Sequence, residues 1–262
     1  MDLKMKNQHA LVMASSSGLG KAIAMTLAEE GAHVFLTSRD QERLSAAVAE
    51  VRTVAQGKVS SIVCDVTKPE DIEAAVQAVI DQYGTIDILV NNAGGPPPGH
   101  FIDMDDTQWQ QAFDLNLMSF IRTMKACLPH MTANRYGRIV TIASSSVKQP
   151  IDGLILSNTF RTAVMGLSKS LASEYGEYNI LINTLGPGRI ETDRLKSLEH
   201  AMADKQAVSV DDIQQLHKAT IPVGRYGQPE EFAATAAFLC SARNSYVTGQ
   251  TFLVDGGMVK AL

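Results

Sequence analysis

The residues best suited to chemistry begin where the first apolar run ends. Ala10-Leu11-Val12-Met13 is followed by Ala14-Ser15-Ser16-Ser17-Gly18-Leu19-Gly20, a turn of small residues that runs directly into a helical-period segment. Such a turn lets the backbone approach a pyrophosphate, and the helix behind it offers free N–H groups and the positive end of its dipole. About twenty residues further on, where an acidic residue would bind an adenosine ribose, the chain reads Thr37-Ser38-Arg39. A hydroxyl and a guanidinium there suit a 2′-phosphate, which a carboxylate would repel, so NADP(H) is favoured over NAD(H). Arg39 equally reads as a solvated residue at a strand end, and the adjoining Asp40 works against the phosphate.

Two other readings share these letters, and a third motif elsewhere invites a comparison of its own. Two glycines also make a tight strand-to-helix packing turn. Ala14-x-Ser16-x-Gly18 resembles a hydrolase nucleophile elbow, which needs an Asp and then a His downstream. His200 and His217 stand in a polar segment without a supporting motif, so the elbow is disfavoured. Ser145-x-x-Lys148 mimics a penicillin-binding signature, but neither Ser-Asp-Asn nor Lys-Thr-Gly is present.

The elements that must position these residues alternate regularly. Strand-like runs at 10–13, 34–37, 59–63, 86–90, 138–142 and 180–185 are separated by helical-period segments at 18–30, 41–55, 69–83, 107–133 and 153–176. A helix at 229–241 and a last strand at 251–254 close the chain. Repeated βα units with apolar strands predict an α/β, doubly wound, seven-stranded and mainly parallel sheet with helices on both faces. Residues 1–262 read as a single domain without a linker. Gly94-Gly95-Pro96-Pro97-Pro98-Gly99 is a loop by composition. Residues 191–220, polar and charge-mixed with helical spacing late on, read as an insertion placed to act as a substrate lid.

Composition narrows the class. The 262 residues are 45% hydrophobic and 19% charged, with mean hydropathy near zero, which gives a chain able to bury a large core. With 23 Lys+Arg against 28 Asp+Glu the formal charge is -5; this lacks the basic surplus that nucleic-acid backbones demand. Cys64, Cys127 and Cys240 form no C-x-x-C pair, so neither a zinc site nor any other metal site is expected, and a reducing cytoplasm fits. No uninterrupted apolar stretch approaches 18 residues, so no membrane span is expected, and Met1 to Ala10 lacks a signal-peptide hydrophobic region.

Asn91-Asn92-Ala93-Gly94, Asn116, Ser144, Pro187-Gly188 and Thr248-Gly249 through Asp255-Gly256-Gly257 occur in an order and spacing that resembles the short-chain dehydrogenase/reductase family over essentially the whole chain. Within it, the 3-oxoacyl-acyl-carrier-protein reductases look most similar. The resemblance implies a Rossmann fold and a pyrophosphate held by the turn Ala14, Ser16, Ser17, Gly18, Leu19 and Gly20. It also implies that Asp65 and Val66 frame the adenine. Asn92, Ala93 and Gly94 would lie under the ribose, and Pro187, Gly188, Ile190 and Thr192 would border the nicotinamide. Each residue also has a purely structural reading: Asn91 and Asn92 as bridges between backbones, Asp65 as a helix N-terminal residue.

The departures matter most. The family's serine is followed thirteen positions later by a tyrosine and four after that by a lysine; counting from Ser144 reaches Ser157 and Arg161. A phenol tuned to pass a proton at neutral pH is replaced by a much weaker acid. Ser144 would polarise a carbonyl and, as the resemblance implies, Asn116 would hold a relay water; at the departed positions a serine hydroxyl at Ser157 would at most pass a proton through water, and the fork of Arg161 would bond the ribose or an anionic group. The family's first turn glycine is Ala14, strained if its φ is positive. His100 and Lys148 are candidate replacement acids, each equally read as a solvated loop residue. The expected partners are a small carbonyl or alcohol substrate and further copies of the chain, as a homotetramer or dimer. The resemblance suggests 3-oxoacyl thioesters or small ketones as substrates; the alternative is a dinucleotide-binding sensor or subunit without turnover.

Overall fold

The computed structural model describes residues 2–261. Its elements run β1 (His9–Val12), α1 (Gly18–Glu29), β2 (His33–Ser38), α2 (Gln41–Val54), β3 (Val59–Val63), α3 (Pro69–Tyr83), β4 (Ile88–Asn91), α4 (Asp106–Phe113), α5 (Ser119–Asn134), β5 (Gly137–Ile142), α6 (Ile155–Tyr175), β6 (Ile180–Pro187), α7 (Asp193–Gln206), α8 (Val210–Ala219), α9 (Pro229–Cys240) and β7 (Thr251–Val254). The strands form one seven-stranded sheet in the order β3-β2-β1-β4-β5-β6-β7. Every neighbouring pair is parallel, so the expected doubly wound sheet is present.

Period-2 alternation explains the two layers. Ala10 and Val12 pack with α1, α2 and α9 on one face, through Ile23, Leu27, Leu44 and Phe232. Leu11 and Met13 face the opposite way, onto α3 and α5 through Ile72, Val76, Phe120 and Met124. Each central strand is buried on both sides, which is why it reads as a continuous apolar run rather than an alternating one. The strand order reverses between β1 and β4, and a cleft opens there at the C-terminal strand ends, as open α/β sheets require.

Two expectations need correction. The helix predicted over 107–133 is interrupted by a π-turn at Asp114–Met118. The Ser119 hydroxyl takes the Leu115 carbonyl at 2.6 Å, while its backbone N–H reaches Asp114 instead; a side chain thus satisfies the acceptor that the wider turn leaves free. The second correction concerns 191–220, which is helical almost from its start. Thr192 caps α7 by accepting from Leu195 N at 3.3 Å, and Ser209 and Asp212 form a capping box that starts α8.

Candidate active-site cleft

The turn after β1 is held from both sides. Ala14 N donates to Thr37 Oγ1 at 3.0 Å, and Asn92 Nδ2 donates to the carbonyls of Met13 at 3.3 Å and Ala14 at 3.1 Å. Ala14 has φ +47°, so the turn carries the strain foreseen for a non-glycine here, and these bonds hold it there. At Gly20 the constraint is steric, because a Cβ would stand 2.7 Å from the Ala14 carbonyl oxygen and 2.8 Å from Asn92 Nδ2. Ser17, the N-cap of α1, makes no side-chain cap bond, and the first turn contains no acidic residue. The N–H groups at this end therefore face the cleft free of a competing carboxylate. The Ser16 hydroxyl bonds Ser38 Oγ at 2.9 Å rather than an imidazole, which removes the nucleophile-elbow reading.

Ser38, Arg39, Asp65 and Val66 line the far end of the same cleft. Asp65 accepts from Thr67 N at 3.0 Å and Thr67 Oγ1 at 2.8 Å. Burial pushes its carboxyl up, but these bonds and the charges of Arg39 and Lys68 outweigh it and hold it below the usual range. Asp65 is not a helix N-cap, since Lys68 precedes α3. Asp40 instead caps α2 through Arg43 N, so its carboxylate is engaged within the turn.

At the opposite end stand Ser144, Ser157 and Arg161, with Pro187, Gly188, Ile190 and Thr192 across from them. Ser144 Oγ accepts from Ser146 N at 3.1 Å, leaving its own proton free to donate. Arg161 is 5% exposed, and its guanidinium donates to the carbonyls of Ile142 at 2.7 Å, Ala93 at 3.3 Å and Gly94 at 3.4 Å. Burial and the neighbouring Arg194 bring its pKa down to about 10, still cationic at neutral pH. Asn116 does not line the cleft. It is fully buried in the π-turn behind Gly94, donating to that carbonyl at 2.6 Å, and its Oδ1 receives no bond from the described residues.

The sequence is 39% identical over 253 residues to dehydrogenase/reductase SDR family member 4 of Oryctolagus cuniculus, covering 96% of this chain and 93% of the relative. The chain belongs to the short-chain dehydrogenase/reductase family. A family profile described as Enoyl-(Acyl carrier protein) reductase matches residues 13–259. The 3-oxoacyl-(acyl-carrier-protein) reductase FabG of Vibrio cholerae is 35% identical over 256 residues, covering 98% of this chain and 99% of the relative. Among solved structures, L-sorbose reductase from Gluconobacter frateurii complexed with NADPH and L-sorbose superposes with a TM-score of 0.95 at 34% identity, covering 100% of both chains.

Against the other predicted positions, this short-chain dehydrogenase/reductase chain gives mixed results. Ala14, Ser16, Ser17, Gly18, Leu19, Asn92, Ala93 and Gly94 all line the cleft; Gly20 lies beneath the turn. His100 does not overhang it. Gly99 N donates to Gly153 O at 2.6 Å and Ile155 N to Gly99 O at 3.3 Å, tying the loop to the start of α6. His100 faces Asp152 at 3.7 Å across a separate shallow depression. Lys148 is exposed outside the cleft.

Several cleft residues escaped the sequence reading. Arg43 joins Arg39 at the adenosine end, and Arg189, Arg194 and Lys260 line the other. Arg194 carried a signal, since a cation in the first turn of a helix opposes the dipole. Behind α7, Glu199 is 1% exposed and accepts from Tyr226 Oη, from Gln214 Nε2 at 3.1 Å and from His217 Nδ1 at 3.3 Å. Burial pushes Glu199 up, yet these bonds bring its carboxyl below the usual range. Burial and Arg189 push the His217 imidazole down, with Glu199 opposing. The cluster fastens α7, α8 and the segment at 226 into one unit.

Proposed function

We propose that this chain is an NADP(H)-dependent oxidoreductase that reduces the carbonyl of a small molecule to an alcohol with an atypical proton pathway. The observation carrying this reading is one cleft of about 1390 Å³ lined at one end by the α1 turn and at the other by Ser144, Ser157 and Arg161. That volume exceeds the roughly 300–1,000 Å³ of ordinary ligand pockets, as a dinucleotide plus a substrate requires. The chain fits NADP(H): Gly20 leaves room for the backbone to close on a pyrophosphate, and Ser38, Arg39 and Arg43 gather two guanidinium groups and a hydroxyl at the 2′-phosphate end. Asp65 and Val66 would frame the adenine, Asn92, Ala93 and Gly94 the ribose, and Pro187, Gly188, Ile190 and Thr192 the nicotinamide. The NADPH complex of L-sorbose reductase supports the same choice.

The bound cofactor supplies the hydride. Ser144, its oxygen already accepting from Ser146 N, donates its proton toward the carbonyl oxygen and stabilises charge developing there. Ser157 stands where the family carries its tyrosine and passes a proton through water, because a serine hydroxyl is too weak an acid to give it up directly. Arg161 stays charged, so it is no base; it pins the ends of β4 and β5 and sets a positive potential beside the oxyanion. The unpaired Asn116 Oδ1 supports its role in holding a relay water. Helices α7 and α8 act as the substrate lid, and copies assemble as a homotetramer or dimer through α5 and α6.

The test is NADPH oxidation against acetoacyl thioesters and small ketones, on the native protein and on Ser157→Tyr/Arg161→Lys. Slow native turnover is expected, rising about 10²- to 10⁴-fold in the double variant as positioned acid catalysis returns. Absence of NADPH-induced thermal stabilisation in the native protein would sink the reading. A second reading, dinucleotide binding without turnover, is favoured by one observation: among the described residues, no tyrosine or histidine lines the cleft. Turnover by the double variant alone would select it.

A further inference from the structure

Four cations, Arg161, Arg189, Arg194 and Lys260, line the substrate end of the cleft, and Asp193 is the one carboxylate among the described residues lining that end. None of the four takes part in an ion pair among the described residues. Arg161 is buried, Arg189 half-buried, and Arg194 and Lys260 are exposed at the mouth of the cleft, so an entering anion can reach Arg194 directly. Arg194 reaches across from α7 and donates through Nη2 to the Pro96 carbonyl at 2.6 Å. It lies flat on Gly95, within 3.1–3.3 Å of where a Cβ would stand, so glycine there is what admits the guanidinium. Among the described residues it makes no other hydrogen bond, leaving most of its donors unused.

Arg161 touches Ala93 and Gly94, the two residues before the Gly95-Pro96 step that Arg194 covers. Two guanidinium groups thus flank one short strip of backbone, repelling each other. Arg189 lines the same end, its buried Nε unpartnered among the described residues, but its charge faces Glu199 and Tyr226. A carboxylate entering between Arg161 and Arg194 relieves their repulsion and meets a planar donor fork matched to its two oxygens. The cofactor's phosphates have their own partners on this chain, the α1 turn and the Arg39/Arg43 pair, so these cations are surplus to them.

We propose that the substrate is an oxo acid whose carboxylate is received by Arg194, with Arg161 beside it supplying positive field. This rests on the reading of the cleft as a reductase site, and its test separates the two. NADPH affinity is measured first, by fluorescence. Acetoacetate and methyl acetoacetate, then pyruvate and methyl pyruvate, are titrated calorimetrically into the protein with NADP⁺; each pair shares its carbonyl and differs in charge.

At least one acid is expected to bind tenfold or more tightly than its ester, with the preference falling with added salt. Arg194→Met should bring acid and ester to near parity while leaving the NADPH affinity within twofold. Arg194→Lys, which keeps the charge but loses the fork, should retain part of the preference. Equal binding of acids and esters, no measurable binding of either acid, or an NADPH affinity lost in step with the acid's in Arg194→Met would each overturn the proposal. Acid binding without any NADPH oxidation would uphold it and overturn the reductase reading instead.

Discussion

Two arginines are buried at opposite ends of β5, and their surroundings differ. Arg138, 2% exposed at the end away from the cleft, donates to the carbonyls of Gly137 at 2.8 Å, Asn179 at 2.9 Å and Asn244 at 2.9 Å. Its guanidinium also sits 4.4 Å from the centre of the Tyr136 ring. Arg161, at the cleft end, has one short bond and two long ones, a ring at 5.5 Å and another cation nearby. The first is a brace whose neighbourhood is complete. The second braces too, but its field is left over for whatever enters the cleft. Burial of a charge alone does not mark a functional group; the completeness of its partners does.

The largest way to break this contrast is Arg138→Met. It strips the buried carbonyls of Gly137 and Asn244 of a donor, while the Asn179 carbonyl keeps Gly137 N; at about 1 kcal/mol or more for each buried carbonyl, a loss of about 2–3 kcal/mol is expected in urea unfolding. The folded fraction should bind NADPH as before. Arg161→Lys should cost less, about 1–2 kcal/mol, because a lysine loses the fork but still reaches one or two of the same carbonyls. Thermal shift with and without NADPH checks this, the cofactor-induced increment being retained. If Arg161→Lys proves as costly as Arg138→Met, the contrast fails.

The smallest effect sharpens the comparison with a third buried charge, Glu199, whose partners include a titratable one. His217 has a folded pKa below its ordinary 6.5, owing to burial and to Arg189. A lowered pKa means that the folded state favours neutral imidazole, so this contribution is complete above pH 6.5 and fades as pH falls below it. The groups facing it are Glu199, Arg189, Gln214 and Tyr226, with Lys218 over the Tyr226 ring. Hydrogen-exchange protection in α8 should drop several-fold as pH is lowered from 6.5, and His217→Gln should flatten that dependence. A drop unchanged in His217→Gln would assign it elsewhere.

The legible parts of the molecule are those where local spacing and final geometry coincide. The small-residue turn at 14–20 and the apolar strands could be read directly, because a phosphate turn needs small residues in sequence and a doubly covered strand needs an unbroken apolar run. Ser144, Ser157 and Arg161 line one cleft, and it was the resemblance to the family, not their spacing by itself, that pointed to them. The partners of Arg161 were hidden, because they are backbone carbonyls that carry no letter. The Glu199 cluster was hidden as well: its members lie up to 27 positions apart on three segments. His100 was misplaced because two backbone bonds of Gly99, invisible in composition, turn its loop outward. The π-turn left the apolar spacing around it intact and gave no warning.

That π-turn sets the angular phase of everything after it. One residue more than an α-turn corresponds to about 100° of rotation about the helix axis, so the five residues Asp114–Met118 decide which side of α5 meets the sheet. With the turn as it stands, Phe120, Met124, Cys127 and Met131 point into the core, and Asn116 points at the Gly94 carbonyl. Deleting a single residue there would leave the composition almost untouched and yet swing the whole 16-residue helix out of register with its own apolar stripe. The chain's length at this one point is therefore as much a determinant of the site as any side chain in it.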